Sequence, residues 1–223
     1  MKLVHCDLEN VLMCDNIFCT EWIIESPILF SKYVHELYGQ CQGTEGNFVL
    51  SNHNKILDIA KSVEMILNPF SIDINDKKII NKLYSQLNEI AIASENYLYT
   101  QEVMQVIYQY ISELEQKTEH ILFTENQIDL PVLFKAAGVR HEIFEEDFVH
   151  TISRYIRIIC DVLKVKVIVF VNLRSYLSDI QLEEILKETN YQEVKILMIE
   201  SNEKSCLAGV KRYIIDSDQC EIF

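Results

Sequence analysis

The sequence has few glycines, and they are not spaced as a phosphate-binding loop requires. Its 223 residues include only five glycines, and none of them lies in the pattern G-x-x-x-x-G-K-[S/T]. Such a loop needs closely spaced glycines so that backbone N–H groups can approach the phosphates, and a lysine that neutralises charge. Gly43 and Gly46 share a loop, but no lysine is next to them. These features disfavour hydrolysis of a nucleoside triphosphate.

Motifs of hydrolases and zinc sites are also missing. The seven cysteines are odd in number and show no C-x-x-C spacing, which argues against a disulfide framework or a zinc site. The six histidines are scattered, and none of them belongs to an H-E-x-x-H motif. No G-x-S-x-G motif is present to carry a serine nucleophile. The sequence therefore gives no support for a zinc hydrolase or a serine hydrolase.

Positive charge and long apolar runs are scarce. Twenty basic residues face 34 acidic ones, for a net charge of −14, which by itself repels nucleic acid and anionic membranes. No run approaches the roughly 18–20 apolar residues of a membrane-spanning helix, and the start "MKLVHCDLEN" becomes polar too early for a signal peptide. We therefore expect a cytoplasmic protein. Residues 129–166 carry six basic and six acidic groups, so a locally neutral or basic face is compatible with the acidic protein as a whole.

The chain from residue 165 onward contains an α/β pattern. The apolar segment "VKVIVFV" at 165–171 predicts a strand buried on both faces. Ser178 and Gln181 form a capping-box pattern at the start of a helix over 179–188, and "VKILMIE" at 194–200 predicts a second buried strand. Strand, helix and parallel strand indicate an α/β layer architecture. The first strand ends at Asn172, where many nucleotide-binding proteins have a metal-holding acid.

The N-terminal part of the chain, residues 1–70, predicts short elements. Residues 1–20 favour short strands, and a helix is expected from Pro27, capped by Ser26, to a stop at Gly39. A short strand follows at 48–50, and residues 56–67 suit either a helix or a buried strand.

The middle of the chain predicts an antiparallel helical arm. A helix capped by Asn75 or Asp76 is followed, after "ASEN", by a second apolar run at helical spacing. Helices resume at Pro131, stop at Gly138, and start again near residue 145. We therefore expect an α/β head domain at 1–70 and 140–223 and a helical leg at 71–139.

Oxygen ligands are concentrated where the second arm helix ends. A hard, flexible set of this kind suits Ca²⁺, although it does not match an EF-hand loop. An ordinary acidic helix face explains the same residues, and both interpretations stay open. The candidate ligands are Glu113, Glu115, Glu119, Glu125, Asn126 and Asp129.

Basic residues flank the turn at Gly138 and lie on the helix that follows. Lys135 and Arg140 stand on either side of the glycine, and Arg154 and Arg157 share one face of the next helix. In a monomer these are ordinary surface residues. In an oligomer, repeated copies could line a positive channel, where each phosphate contact releases counterions.

Several segments together resemble a known family. They are "NPFSIDINDKKIINKLYSQL", "LFKAAGVR", "VKVIVFVNLRSYLSDIQLEEI", "VKILMIES" and "YIIDSDQCEIF", in this order and spacing. The chain resembles the spacer-acquisition ring protein of type II-A CRISPR systems, a calcium-dependent family that binds ends of double-stranded DNA. The segment "VFVNLRSYLS" is the most specific, and the match is weak over 1–50.

The resemblance implies a degenerate P-loop-like α/β head with a parallel sheet and a helical leg. It further implies a non-catalytic homotetrameric ring, with Ca²⁺ on the legs and DNA in a basic central hole, working with the CRISPR integrase complex and the RNA-guided effector nuclease. By position, Lys135 and Arg140 are its DNA contacts, and Arg154 and Arg157 are added from the helical face. The calcium ligands would be Glu115, Glu119, Glu125, Asn126 and Asp129, although Thr118, Leu122 and Thr124 interrupt the acidic run.

Two other functions remain open from the sequence. One is a divergent nucleotide hydrolase or metal-dependent nuclease that uses Glu200, Asp216 or Asp218. The other is a protein-only scaffold whose acidic surface binds basic partners and never contacts DNA.

Overall fold

The computed structural model describes residues 1–125 and 127–222, which form two compact units. The head unit comprises residues 1–73 and 145–223, and the helical unit comprises residues 74–144. The strands are β1 (Lys2–His5), β2 (Cys19–Ile24), β3 (Phe48–Asn52), β4 (Lys55–Leu57), β5 (Val63–Ile66), β6 (Val167–Val171), β7 (Lys195–Glu200), β8 (Val210–Ile215) and β9 (Glu221–Ile222). The helices are α1 (Pro27–Cys41), α2 (Ile59–Ser62), α3 (Lys77–Ile92), α4 (Tyr97–Glu115), α5 (Leu130–Ala136), α6 (Phe148–Val162) and α7 (Asp179–Tyr191).

A six-stranded sheet forms the centre of the head unit, in the order β5-β6-β7-β2-β8-β9. The first five strands are parallel to their neighbours, and only β9 runs antiparallel, against β8. All five residues of β6 and all six of β2 are buried, as expected for parallel strands covered on both faces. The predicted α/β architecture with a parallel sheet is confirmed.

One face of this sheet packs against α1 and a second, smaller sheet. The smaller sheet is antiparallel, in the order β1-β3-β4, and was not predicted as a separate layer. Trp22 of β2, Tyr33 of α1 and Phe48 of β3 meet in the core, with ring centroids 5.1–6.3 Å apart. Side chains alternate along a strand, so Ile23 points to the opposite face, where α7 contacts β7 and packs against α6.

A half-buried lysine organises the loop between β1 and β2. The Lys195 ammonium donates hydrogen bonds to the backbone carbonyls of Cys14 (2.6 Å), Asp15 (3.1 Å) and Ile17 (2.5 Å). Partial burial lowers the pKa of Lys195 because the charged form loses water. The three carbonyls take the place of that water, and they hold the loop against the first residue of β7.

The capping prediction at Ser178 is confirmed, and the stop at Gly39 is wrong. Ser178 Oγ accepts the N–H of Gln181, whose side chain accepts the N–H of Ser178 in return. Gly39 lies inside α1, which continues to Cys41. The chain instead turns at Gly43, whose φ of +90° is a conformation that glycine adopts without steric cost.

The segment that suited either a helix or a strand contains both. Within residues 56–67 lie the end of β4, the single turn α2 and the edge strand β5. Asp58 caps α2, because its carboxylate accepts the N–H of Ala60 at 3.0 Å. Because these elements are short, neither helical nor strand periodicity of the apolar residues dominates residues 56–67.

The helical unit consists of α3, α4 and α5. α3 buries Ile79 and Tyr84 and packs against α5, which buries Leu130. The Tyr84 hydroxyl donates to the carbonyl of Val139 at 2.8 Å, and the Asn75 side chain pairs with both backbone groups of His141. None of the helices in the described residues combines the length and the apolar composition that a membrane span requires.

Candidate functional site

Asn172 joins two strand ends. Its backbone is left-handed, with a φ of +53°, which asparagine tolerates better than most residues. Its N–H donates to the carbonyl of Ile199 at 2.8 Å, and its Oδ1 accepts the N–H of Ser201 at 2.9 Å. Asn172 therefore holds the ends of β6 and β7 together, and its side-chain oxygen is used by the protein itself.

The connection between β2 and α1 differs from a phosphate-binding loop. Only Glu25 and Ser26 separate the strand from the helix, and the helix begins at Pro27, which has no N–H to donate. A phosphate cradle requires several backbone N–H groups that converge on one point. This two-residue connection does not provide them, in agreement with the absence of the glycine motif.

A buried ionic network lies near the carboxyl ends of the strands. Arg174, in the turn after β6, is only 2% exposed. Its guanidinium donates to Glu21 Oε1 on β2 (2.5 Å), to Asp179 at the start of α7 (2.8 Å) and to both oxygens of Ser205 (2.8 and 3.1 Å). Every one of these contacts is internal to the head unit, so the Arg174 side chain stabilises the fold.

A second arginine completes the pairing of Glu21. Arg212 on β8 donates to Glu21 Oε2 at 2.8 Å and to Glu203 at 2.9 Å. Glu21 is 1% exposed, and a carboxylate buried to this extent requires such partners. The fold therefore uses two arginines to neutralise one buried acid.

Two acids that accept hydrogen bonds from Arg174 have shifted pKa values. Burial raises the pKa of Glu200 to about 7, although the N–H of Arg174 donates to its carboxylate at 3.1 Å. Hydrogen bonds from Ser205 and from Arg174 lower the pKa of Asp179. The pKa values of Glu200 and Asp179 are therefore shifted in opposite directions.

Sequence reasoning missed the network. Glu21 and Arg174 are 153 residues apart, and no local motif joins them. A signal was present, because Glu21 is the one charged residue in the strand sequence "CTEWII". A charged residue inside a buried strand implies a buried partner.

Two of the four predicted DNA contacts are already engaged in ion pairs. Arg154 lies 3.6 Å from Glu146, and Arg157 makes a two-pronged pair with Glu188 at 3.1 and 3.2 Å. Both arginines are on α6, as predicted. Their acidic partners reduce the positive potential that they can present to a phosphate.

The other two predicted DNA contacts, Lys135 and Arg140, are in the helical unit. Lys135 in the last turn of α5 and Arg140 beyond Gly138 are both exposed. The turn between them is ordered, because the Val139 N–H donates to the Phe134 carbonyl at 3.0 Å. Within residues 1–125 and 127–222, neither cation makes an ion pair, so both charges remain available.

The predicted calcium ligands are spread along the helical unit. Glu115 Oε1 accepts the N–H of Leu122 at 2.9 Å, Glu119 and Glu125 are exposed, and Asp129 precedes α5. Asn126 lies outside the described residues. These carboxylates do not form a group of three convergent ligand atoms in the part of the chain that the structure describes. The calcium site therefore stays a prediction.

Among the described residues, the possible metal-ligand atoms of His5, Cys6 and Asp7 lie close to one another. The His5 ring packs between Tyr33 and Phe48 and is 3% exposed. Its Nδ1 accepts the N–H of Asp7 at 3.1 Å, and its Nε2 lies 3.2 Å from Glu36. Both ring nitrogens are thus used by the fold, which makes His5 a core residue.

The acids of the alternative enzymatic function have separate structural roles. Glu200 belongs to the buried network, whereas Asp216 Oδ1 accepts the N–H of Cys220 in the turn before β9. Asp218 is exposed in the same turn. The three do not form a convergent acidic group among the described residues.

Comparison with known families agrees with this geometry. The profile of the family described as CRISPR-associated protein (Cas_Csn2) matches residues 40–219, which include the parallel strands β5 to β8, the turn at Arg174 and the whole helical unit. The match covers about four fifths of the chain. The protein therefore belongs to the Cas_Csn2 family of CRISPR-associated proteins.

Proposed function

We propose that the protein is a non-catalytic ring of four copies that binds ends of double-stranded DNA and supports the acquisition of new spacers. In this role it works in the cytoplasm with the CRISPR integrase complex and the RNA-guided effector nuclease. The observation that carries the proposal is the pair Lys135 and Arg140, two exposed cations without ion pairs among the described residues of an acidic chain. Family membership supports the CRISPR role.

Assembly is supported by the surface of α4. None of its nineteen residues is buried, and Leu98, Val106 and Tyr110 are 60–74% exposed. An isolated amphipathic helix gains most of its stability by packing its apolar face. A second copy of the same chain would cover this face and would also bring further copies of Lys135 and Arg140 together.

DNA binding becomes physically reasonable when several copies of the chain place their cations on the same DNA. One copy carries a net charge of −14, which opposes a polyanion. Four copies that each placed both cations on phosphates would make eight contacts, and log K would then change with log salt with a slope of about −7. Phosphate contacts carry no base information, so affinity should not depend on sequence.

A competition between linear and closed circular duplexes tests the ring. We expect linear DNA to bind and closed circles to compete poorly, because a ring must be entered at an end. Lys135→Ala should lower the magnitude of the salt slope by about 4, since one contact is lost in each of four copies. Lys55→Ala, which removes an exposed charge from β4, is the matched control and should leave the slope unchanged. Equal binding of closed circles would refute threading.

Native mass with and without a chelator tests assembly and calcium together. We expect four copies with Ca²⁺ and smaller species without it. Glu115→Gln should weaken calcium binding, whereas Glu102→Gln, which removes an exposed acid from the same helix, should not. Val106→Lys should break the assembly if α4 forms an interface. A tetramer that is indifferent to chelator would remove calcium from the proposal.

A further inference from the structure

Three aromatic rings form a cluster on the surface of the head unit. Phe70 and Phe148 are stacked, with centroids 4.7 Å apart and planes 16° from parallel. Tyr176 meets Phe70 edge-on at 5.0 Å. We call these three residues the aromatic patch.

The patch is exposed although its backbone is ordered. Phe70 is 64% exposed and Tyr176 46% exposed. Phe70 follows Pro69 in a 3-10 turn, and Asn68 fixes that turn by accepting the N–H of Phe70 at 3.0 Å. An aromatic ring held largely in water by an ordered turn contributes little burial to the fold. Aromatic residues displayed in this way are typical of interfaces.

The patch also lies where parallel α/β sheets bind their ligands. Phe70 comes four residues after the end of β5, and Tyr176 comes five residues after the end of β6. In open sheets of this class, ligands bind beyond the carboxyl ends of the strands. Leu67 and Ile180, 42% and 78% exposed, follow β5 and begin α7, so they add apolar surface near the same strand ends.

Acidic residues directly adjoin the patch in the sequence. Glu145, Glu146 and Asp147 directly precede Phe148. The head unit as a whole carries 14 of the 20 basic and 24 of the 34 acidic side chains, a net charge of −10. This field disfavours phosphate groups and attracts cations. The partner that fits such a surface is therefore positively charged.

The arginine nearest to the patch in the sequence does not stack on it. Arg174, two residues before Tyr176, turns inward to the buried network. In the described part of the chain, the cation over an aromatic ring is Lys32, which lies over Tyr33, 5.2 Å from its centroid. The exposed parts of Phe70 and Tyr176 are thus accessible to a guanidinium from another molecule.

We propose that the aromatic patch is a docking surface for a basic, arginine-bearing segment of a partner protein. Guanidinium planes stack on Phe70 and Tyr176, and the exposed Glu145 together with the net negative charge of the head unit attracts the remaining positive charge. Arginine suits this surface better than lysine because its planar, weakly hydrated group stacks on aromatic faces. The docking goes beyond DNA binding and does not depend on it.

Fluorescence anisotropy of a labelled peptide of alternating arginine and glycine tests the proposal on the full-length chain. Each exposed cation–π contact contributes a factor of about two to five in affinity. Phe70→Ala with Tyr176→Ala should therefore weaken binding about 5- to 25-fold. Tyr38→Ala with Tyr191→Ala, which removes two exposed aromatic rings elsewhere on the head unit, should leave the affinity unchanged. The matching lysine peptide should bind less tightly than the arginine peptide.

Two further measurements keep the result decisive. Thermal unfolding of both double variants verifies that the head unit is intact, and Phe70→Leu retains apolar volume while removing the ring. Loss of peptide affinity in Phe70→Leu supports cation stacking. The proposal is overturned if the wild type does not bind the arginine peptide, or if the Phe70/Tyr176 variant binds it equally well. It is also overturned if a single-stranded oligothymidylate binds the patch in place of the peptide.

Discussion

Substitution of Arg174 by methionine should destabilise the head unit strongly. The change keeps much of the side-chain volume but leaves Glu21, 1% exposed, without one of its two arginines. Removal of one partner from a buried ion pair costs about 3–5 kcal/mol. Arg212 continues to donate to the other oxygen of Glu21, so we expect the lower end, about 3 kcal/mol. For a chain of this size that corresponds to a decrease in Tm of about 6–12 °C.

Urea unfolding followed by circular dichroism measures this loss, with Arg157→Met as the matched control. Arg157 makes a two-pronged pair with Glu188, but its side chain is 60% exposed. Exposed pairs contribute about 0–1 kcal/mol, so the control should be mild. Glu21→Gln combined with Arg174→Met should cost less than the sum of the two single changes, because the two residues share one interaction. If Arg174→Met were as mild as Arg157→Met, the network would not stabilise the head unit as argued.

The remaining predictions concern Glu200 and Lys195. The pKa of Glu200 is raised to about 7 by burial, from 4.5, so the folded state keeps a proton that the unfolded state loses between these values. Stability should therefore fall as pH rises from about 4.5 to 7, by up to about 3 kcal/mol, and Glu200→Gln should remove this slope. Unfolding free energies at pH 5 and pH 8 measure it, and an equal slope in both proteins would contradict the assignment. Lys195→Met should cost about 1–3 kcal/mol and speed amide exchange around the 14–17 loop, because three carbonyls lose their donor. Lys187→Met, an exposed lysine on α7, is its control, and unchanged exchange in the Lys195 variant would contradict this role.

Sequence reasoning identified the elements whose signals are local. The buried run that became β6 and the capping box at Ser178 depend on neighbours within a few residues, and both are present as predicted. The Gly39 stop failed because a second glycine, Gly43, offered the same left-handed turn four residues later. Local patterns alone do not decide between two such positions.

The buried network and the smaller sheet could not be predicted in the same way. Glu21 meets Arg174 across 153 residues, and β1 pairs with β3 although β2 and α1 lie between them in the chain. Such contacts depend on the order of strands, which the sequence does not state. The available cations of the candidate site, Lys135 and Arg140, were predicted correctly as surface residues, but the ion pairs that occupy Arg154 and Arg157 follow from tertiary packing.

The position of β2 between β7 and β8 has a consequence for synthesis on the ribosome. Both neighbours of this central strand are made much later than the strand itself, because the helical unit and α6 come in between. At about 5–20 residues per second, "CTEWII" waits roughly 10–35 s before either partner exists. During that interval the nascent chain exposes an apolar strand that carries an uncompensated glutamate, and this single charge is its intrinsic protection against premature association with other strands.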